Sequence, residues 1–237
     1  MRGFRKEQQR LHMLAQLHRA HPWHGVDIGD EAPEMLHCYV EIVPTDTVKY
    51  ELDKASGILK VDRPQKYSNT CPALYGMIPQ TYCMEQVGNY CVEKTGRKEV
   101  KGDGDPLDIC IFAERPIVRG DILVRAIPIG GFRMIDGNEA DDKIIAVQEN
   151  DLVYGKIRDV SECPVSLMNR LRHYFLTYKE YPSNEPGGVG RQRMVEIVET
   201  YGREEAHHVI SLSQADYKTH YHEVLEWHRA CHGGEKR

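Results

Sequence analysis

Three carboxylates fall within six residues in Asp103-Gly104-Asp105-Pro106-Leu107-Asp108, directly ahead of the apolar run Ile109 to Phe112. Acids this close repel one another and drift toward the protonated form unless a multivalent cation neutralises them. Gly102 and Gly104 let the backbone fold the acids inward, and Pro106 stops strand pairing there. A hard, oxygen-seeking metal is the natural partner. An exposed acidic turn would explain this loop if it stood alone, but a second one follows. Asp136-Gly137-Asn138-Glu139-Ala140-Asp141-Asp142-Lys143 again places a glycine-containing acidic loop just before an apolar strand, Ile144 to Val147. Two such loops at strand ends can converge on one barrel mouth and hold more than one cation.

A third piece is independent of the loops. In Val48-Lys49-Tyr50-Glu51-Leu52, alternation puts Val48, Tyr50 and Leu52 on one face and Lys49, Glu51 and Asp53 on the other. A solvent-facing cross-strand charge set would look the same. Upstream, however, Glu41 points away from Val40 and Ile42 and adds a carboxylate to that polar face. Arg63 ends the next strand, and Tyr178-Lys179 follows a helical stripe. The chemistry thus divides into acids that hold divalent metal and cations (Lys49, Arg63, Lys143, Lys179) that neutralise phosphate oxygens. Such a pairing suits phosphoryl transfer better than peptide or glycoside chemistry. Magnesium takes carboxylate and water ligands and binds together with substrate phosphates.

The elements that must carry these residues are mostly short strands. Segments 38–43, 47–52, 57–62, 107–113, 121–129, 143–148 and 193–198 read as strands separated by Pro, Gly, Asp and Asn. Their number and spacing predict a small closed barrel. Residues 163–180 and 204–230 have helical periodicity, with Leu167, Leu171, Tyr174 and Phe175 on one stripe, so helices flank the barrel. Residues 5–19 predict an N-terminal helix outside the main body, ended by His21-Pro22. Segment 84–102 has mixed polarity and reads as an insertion or flap. This divides the chain into a helical extension (1–36), a barrel domain (37–200) and a C-terminal helix and tail (201–237).

Composition excludes several classes. At 237 residues the chain buries roughly 70–75% of its extended surface and needs no disulfide staple. Its seven Cys include no C-x-x-C pair or zinc spacing and read as reduced thiols of a cytosolic protein. No apolar run nears the roughly 18 residues of a membrane span. The basic start, Arg2 to Arg19, could pass for a transit peptide, although amphipathic surface helices share that pattern. A net charge of −5 with two Trp and four Phe argues against a nucleic-acid surface.

With those residues set out, the order of motifs resembles the soluble family I inorganic pyrophosphatases. D-G-D-P-L-D-I at 103 looks like that family's signature. It is accompanied by E-I at 41, V-K-Y-E-L-D at 48, G-I-L-K-V-D-R at 57, Y-G at 75, D-x-x-x-x-D-x-K at 136 and Y-K at 178. The likeness covers about residues 37–180. It implies an OB-like five-stranded closed barrel with flanking helices, mainly β in class, that hydrolyses pyrophosphate to two phosphates with several Mg²⁺ ions. By the same resemblance, Asp103, Asp108 and Asp141 hold the metals that activate the attacking water, and Asp105 is its base. Asp136 joins Asp141 at the substrate-linked metals, with Glu41 and Glu51 nearby. Lys49, Arg63, Lys143, Tyr178 and Lys179 contact phosphate, and Tyr75 orients that network. Asp142 receives no role, and Cys71 stands where many members carry Tyr or Phe. The family also implies a homo-oligomer.

Three other readings compete. Asp103, Asp105 and Glu114 occupy positions 1, 3 and 12 of an EF-hand loop, but Leu107 and Asp108 stand at positions 5 and 6, where a ligand and the turn glycine belong. An OB-fold nucleic-acid binder would show aromatics and basic residues where this chain has carboxylates. A two-metal phosphoesterase or nuclease shares both the metals and the water, and only substrate preference separates it. His207-His208 and His220-x-His222 read as a solvated helix rather than a metal site, and Gly187-Gly188-Val189-Gly190 as flexible linkage.

Overall fold

The computed structural model describes residues 19–179 and 195–226. Its strands are β1 (Leu36–Ile42), β2 (Val48–Leu52), β3 (Leu59–Pro64), β4 (Leu74–Met77), β5 (Lys101–Gly102), β6 (Asp108–Phe112), β7 (Ile122–Asp136), β8 (Glu139–Ala140), β9 (Lys143–Gln148) and β10 (Val195–Gly202). Helix α1 (Glu85–Thr95) lies between β4 and β5, α2 (Val165–Thr177) follows β9, and α3 (Arg203–His220) follows β10. The fold is mainly β with a few flanking helices. β1 pairs with β4, β4 with β6, β6 with β9, β9 with β7, and β7 with β1 again. Hydrogen bonding therefore passes through five strands and returns to the first. β10 adds to β7, and β2–β3 form a separate hairpin.

Burial explains why β6 and β9 read as continuous apolar runs rather than alternating ones. Ile109 and Ile111 of β6 and Ile144 and Ala146 of β9 join one cluster with Val209 and Ile210 of α3. Cys110, Phe112, Ile145 and Val147 face the other way, onto Leu171 and Phe175 of α2. Each helix thus covers one face of the same two strands. Before β1, Trp23 is buried beside Tyr39, Met77 and Tyr217, and its indole N–H donates to the Thr81 carbonyl at 2.7 Å.

Several segments differ from the sequence expectation. The strand expected at 121–129 runs on to Asp136, because a bulge between Pro128 and Gly130 lets β7 bend and continue through the Gly130-Gly131 pair that reads as a turn. Leu74–Met77 was not expected as a strand; it has four residues, one of them glycine. Within 84–102 the chain forms helix α1, whose buried positions are only Val87, Gly88 and Cys91, too few to stand out as an apolar stripe. The C-terminal helix begins at Arg203 and ends at His220. The basic start and nearly all of the helix expected at 5–19, the Gly187–Gly190 loop, residues 193–194 and residues 227–230 lie outside the described residues. Six described cysteines are unbridged and buried, and no helix among the described residues is long and apolar enough to cross a membrane.

Candidate active site

The parallel pairing of β6 with β9 brings the two acidic loops together. Both strands start at the same end of the sheet, with Asp108 in register opposite Lys143. The β2–β3 hairpin closes over that end with Lys49, Glu51 and Arg63, and the segment after α2 adds Tyr178 and Lys179. All thirteen side chains singled out in the sequence line one cavity of about 240 Å³. Lys54, Glu139 and Tyr174 line it as well.

At its floor, the almost fully buried Lys143 is ion-paired to both Asp108 and Asp141. Burial works against its charge, but these two carboxylates outweigh it and hold the ammonium well above its ordinary pKa. The Tyr75 hydroxyl donates to Asp108 Oδ2 at 2.6 Å, fixing that carboxylate from the opposite side. Asp103 has no ion pair to a described residue; burial, reinforced by the charge of Asp141, pushes its carboxyl up to about 9. It accepts the Asp105 N–H at 2.9 Å across Gly104, whose φ of +74° permits the reversal. Burial likewise lifts Glu41 to about 8, although it accepts the Leu52 N–H at 2.7 Å.

Nearer the opening, Asp136 is ion-paired to Lys179 and Asp105 to Lys54. Lys49 lies 3.0 Å from Asp62 and 3.3 Å from Glu51, and Arg63 lies 2.6 Å from Asp62. Lys54 was not singled out in the sequence because it sits in the hairpin turn, beyond the alternating strand. Its carbonyl accepts His21 Nε2–H at 3.0 Å, which ties that turn to the segment before β1. Asp62 appears in the G-I-L-K-V-D-R motif and acts here as the anion between two cations. Asp142 turns away from the cavity to Tyr201 and Arg133. Cys71 is fully buried beside the α2 residues and lines no part of the cavity.

Eight carboxylates and five cations line the cavity, all of them hard oxygen donors or ammonium and guanidinium groups. No trio of His, Cys, Asp or Glu among the described residues already stands in metal-binding geometry, and lysines pair with six of the eight carboxylates. The donor set nevertheless fits a hard divalent cation. Burial, with neighbouring acids behind it, raises the carboxyls of Asp103 and Glu41, a shift that a nearby dication reverses. The histidines of α3 form no such cluster; His220 instead lies 2.8 Å from Glu85 of α1.

A ring of paired strands with acids and lysines gathered at one end defines a phosphoryl-transfer class of pocket. Comparison with known proteins narrows this. Residues 38–218 match the inorganic pyrophosphatase family. The chain is 54% identical over 198 residues to the inorganic pyrophosphatase of Chlamydia trachomatis serovar D, covering 84% of this chain and 94% of that one. It is 40% identical over 176 residues to the soluble inorganic pyrophosphatase of Oryza sativa subsp. japonica, covering 74% and 73%. Among solved structures, the inorganic pyrophosphatase of Thermus thermophilus superposes with a TM-score of 0.66 at 26% identity, covering 83% of this chain and 99% of that one. The chain belongs to the inorganic pyrophosphatase family.

Proposed function

We propose that the protein hydrolyses inorganic pyrophosphate to two phosphates, with Mg²⁺ as the cation and several ions per site. The observation that carries this reading is the meeting, in one cavity, of an excess of carboxylates with cations from five separate segments. Asp103, Asp108, Asp136, Asp141, Glu41 and Glu51 would hold the metal. When bound, Mg²⁺ neutralises phosphate charge and lowers the pKa of water. Asp105, at the rim rather than the floor, accepts the proton of the attacking water, for which it must leave Lys54. Lys49, Arg63, Lys143, Tyr178 and Lys179 bind the phosphoryl oxygens of the substrate and the developing charge on the leaving phosphate. Tyr75, through Asp108, keeps the floor aligned.

The family reading extends to a homo-oligomer acting in the cytoplasm, without nucleic-acid or membrane partners; six buried, unbridged thiols support a reducing compartment. Phosphate release from pyrophosphate is the test. Turnover is expected to vanish in excess chelator and to return with Mg²⁺ but not with Ca²⁺, which tolerates irregular coordination where in-line transfer needs tight octahedral geometry. Full activity in chelator, or equal rates with the two ions, would refute the metal assignment.

A further inference from the structure

Helix α1 and helix α3 lie outside the acidic loops, yet the loop that carries Asp103 and Asp105 is built on them. Ile78 N–H donates to the Leu107 carbonyl at 2.9 Å, and Leu107 N–H to Thr81 Oγ1 at 2.9 Å. Further along, Cys83 N–H donates to the Asp105 carbonyl at 2.8 Å, and Gly104 N–H to the Cys83 carbonyl at 2.9 Å. The backbones approach so closely that a Cβ on Gly102 would lie 2.4 Å from the Cys83 carbonyl oxygen, and one on Gly88 of α1 2.7 Å from the Gly102 nitrogen. Segment 78–88 is therefore the template for the acidic loop.

That template is fixed in turn from α3. Met84, at the N-cap of α1, offers no side-chain cap, so the first N–H groups of the helix need acceptors from elsewhere. Asp216 supplies them. It is 2% exposed, and its carboxylate accepts Met84 N–H at 3.0 Å, Gln86 N–H at 3.0 Å and Val87 N–H at 3.2 Å. It has no ion pair to a described residue, so these amides are the partners of its carboxylate. Tyr82 N–H adds a bond to the Ser213 carbonyl at 2.9 Å, and His220 of α3 meets Glu85 of α1.

We propose that Asp216 is a positioning residue for metal binding: by capping α1 from α3 it sets the template on which Asp103 and Asp105 are aimed into the cavity. This rests on the metal-dependent reading above. Asp216 lines no part of the cavity and acts only through the backbone N–H groups of Met84, Gln86 and Val87. Its removal should therefore weaken metal binding more than it slows turnover at saturating metal. Outer partners of metal ligands typically alter affinity 10- to 100-fold. Asp216 acts one step further out, so the low end applies.

The test is Mn²⁺ binding to the full-length protein without substrate, by calorimetry and by the electron paramagnetic resonance of free Mn²⁺, well below each variant's melting temperature. Asp216→Ala is expected to weaken Mn²⁺ by about tenfold, with kcat at saturating Mg²⁺ near the parent's. Asp216→Asn keeps an acceptor oxygen and should fall between; it alone decides the matter if the Ala variant does not fold. Lower melting temperatures with unchanged Mn²⁺ affinity would reduce Asp216 to a structural cap and overturn the proposal alone. A parent protein that binds no Mn²⁺ would overturn the metal reading, and this inference with it.

Discussion

Residues 141–143 serve two arrays of buried charge that face opposite ways. Asp141 and Lys143 enter the cavity, whereas Asp142 between them turns toward Arg133, which is 0% exposed. Around Arg133 three acids gather on one buried cation, with Lys94 also 3.4 Å from Glu205, and Arg133 Nε and Asp142 Oδ1 have no hydrogen-bond partner among the described residues. Its guanidinium meets Glu199 and Glu205 at 2.6 Å each, lies between the rings of Tyr90 and Tyr201, and faces Asp142 at 3.9 Å. In the cavity the acids outnumber the cations, and burial leaves Asp103 and Glu41 with strongly raised pKa values. Both arrays carry more acids than cations, and burial lifts Asp142 to about 7 as well; what differs is that one array is gathered on a fully buried guanidinium while the other lines an open cavity. Burial and imbalance of charge alone do not mark a functional site; their placement around an open cavity does.

This contrast can be broken from either side. The largest effect is expected inside the cavity at Asp105, where Asp105→Asn keeps the shape but removes the proton acceptor. Its kcat should fall by about 10²- to 10⁴-fold, while Mn²⁺ affinity changes little. A near-normal kcat would move the base elsewhere. On the Arg133 side, Arg133→Ala leaves Asp142 buried without its ion-pair partner, while Glu205 keeps Lys94 and the Tyr90 hydroxyl. Breaking a buried pair in this way costs roughly 3–5 kcal/mol, read as a lower denaturation midpoint. The kcat of the folded variant should stay close to the parent's, because Arg133 lines no part of the cavity. A variant of normal stability but lost activity would merge the two arrays into one functional unit.

Much of the cavity was legible from sequence because its chemistry is repeated at the starts of two strands, Asp108 of β6 and Lys143 of β9. Parallel neighbours place their starts side by side, so local motifs became one site. Lys54, Arg133 and Asp216 carried no such signal. Arg133 meets Glu205 across 72 residues of sequence, and Asp216 meets Met84 across 132, so neither partnership shows in any local pattern. The strands were readable where apolar runs ended at Pro, Gly or Asp. β7 was cut short because Gly130-Gly131 reads as a turn until the bulge and the pairing with β9 and β10 are seen. Helix α1 stayed hidden because it buries little and owes its N-terminal cap to α3.

The central claim is that the cations of the cavity clamp two adjacent phosphoryl groups, and it is tested most directly by comparing kcat/KM for pyrophosphate and p-nitrophenyl phosphate with Mg²⁺. A monoester leaves half of the clamp unpaired. Losing two or three charge-assisted contacts, each worth roughly 1.5–3 kcal/mol, predicts at least a hundredfold preference for pyrophosphate. Arg63→Ala, which removes a planar fork at the cavity rim, should shrink that preference. Similar efficiency on both substrates by the unmodified protein would contradict the clamp and leave a general metal-dependent phosphoesterase in its place.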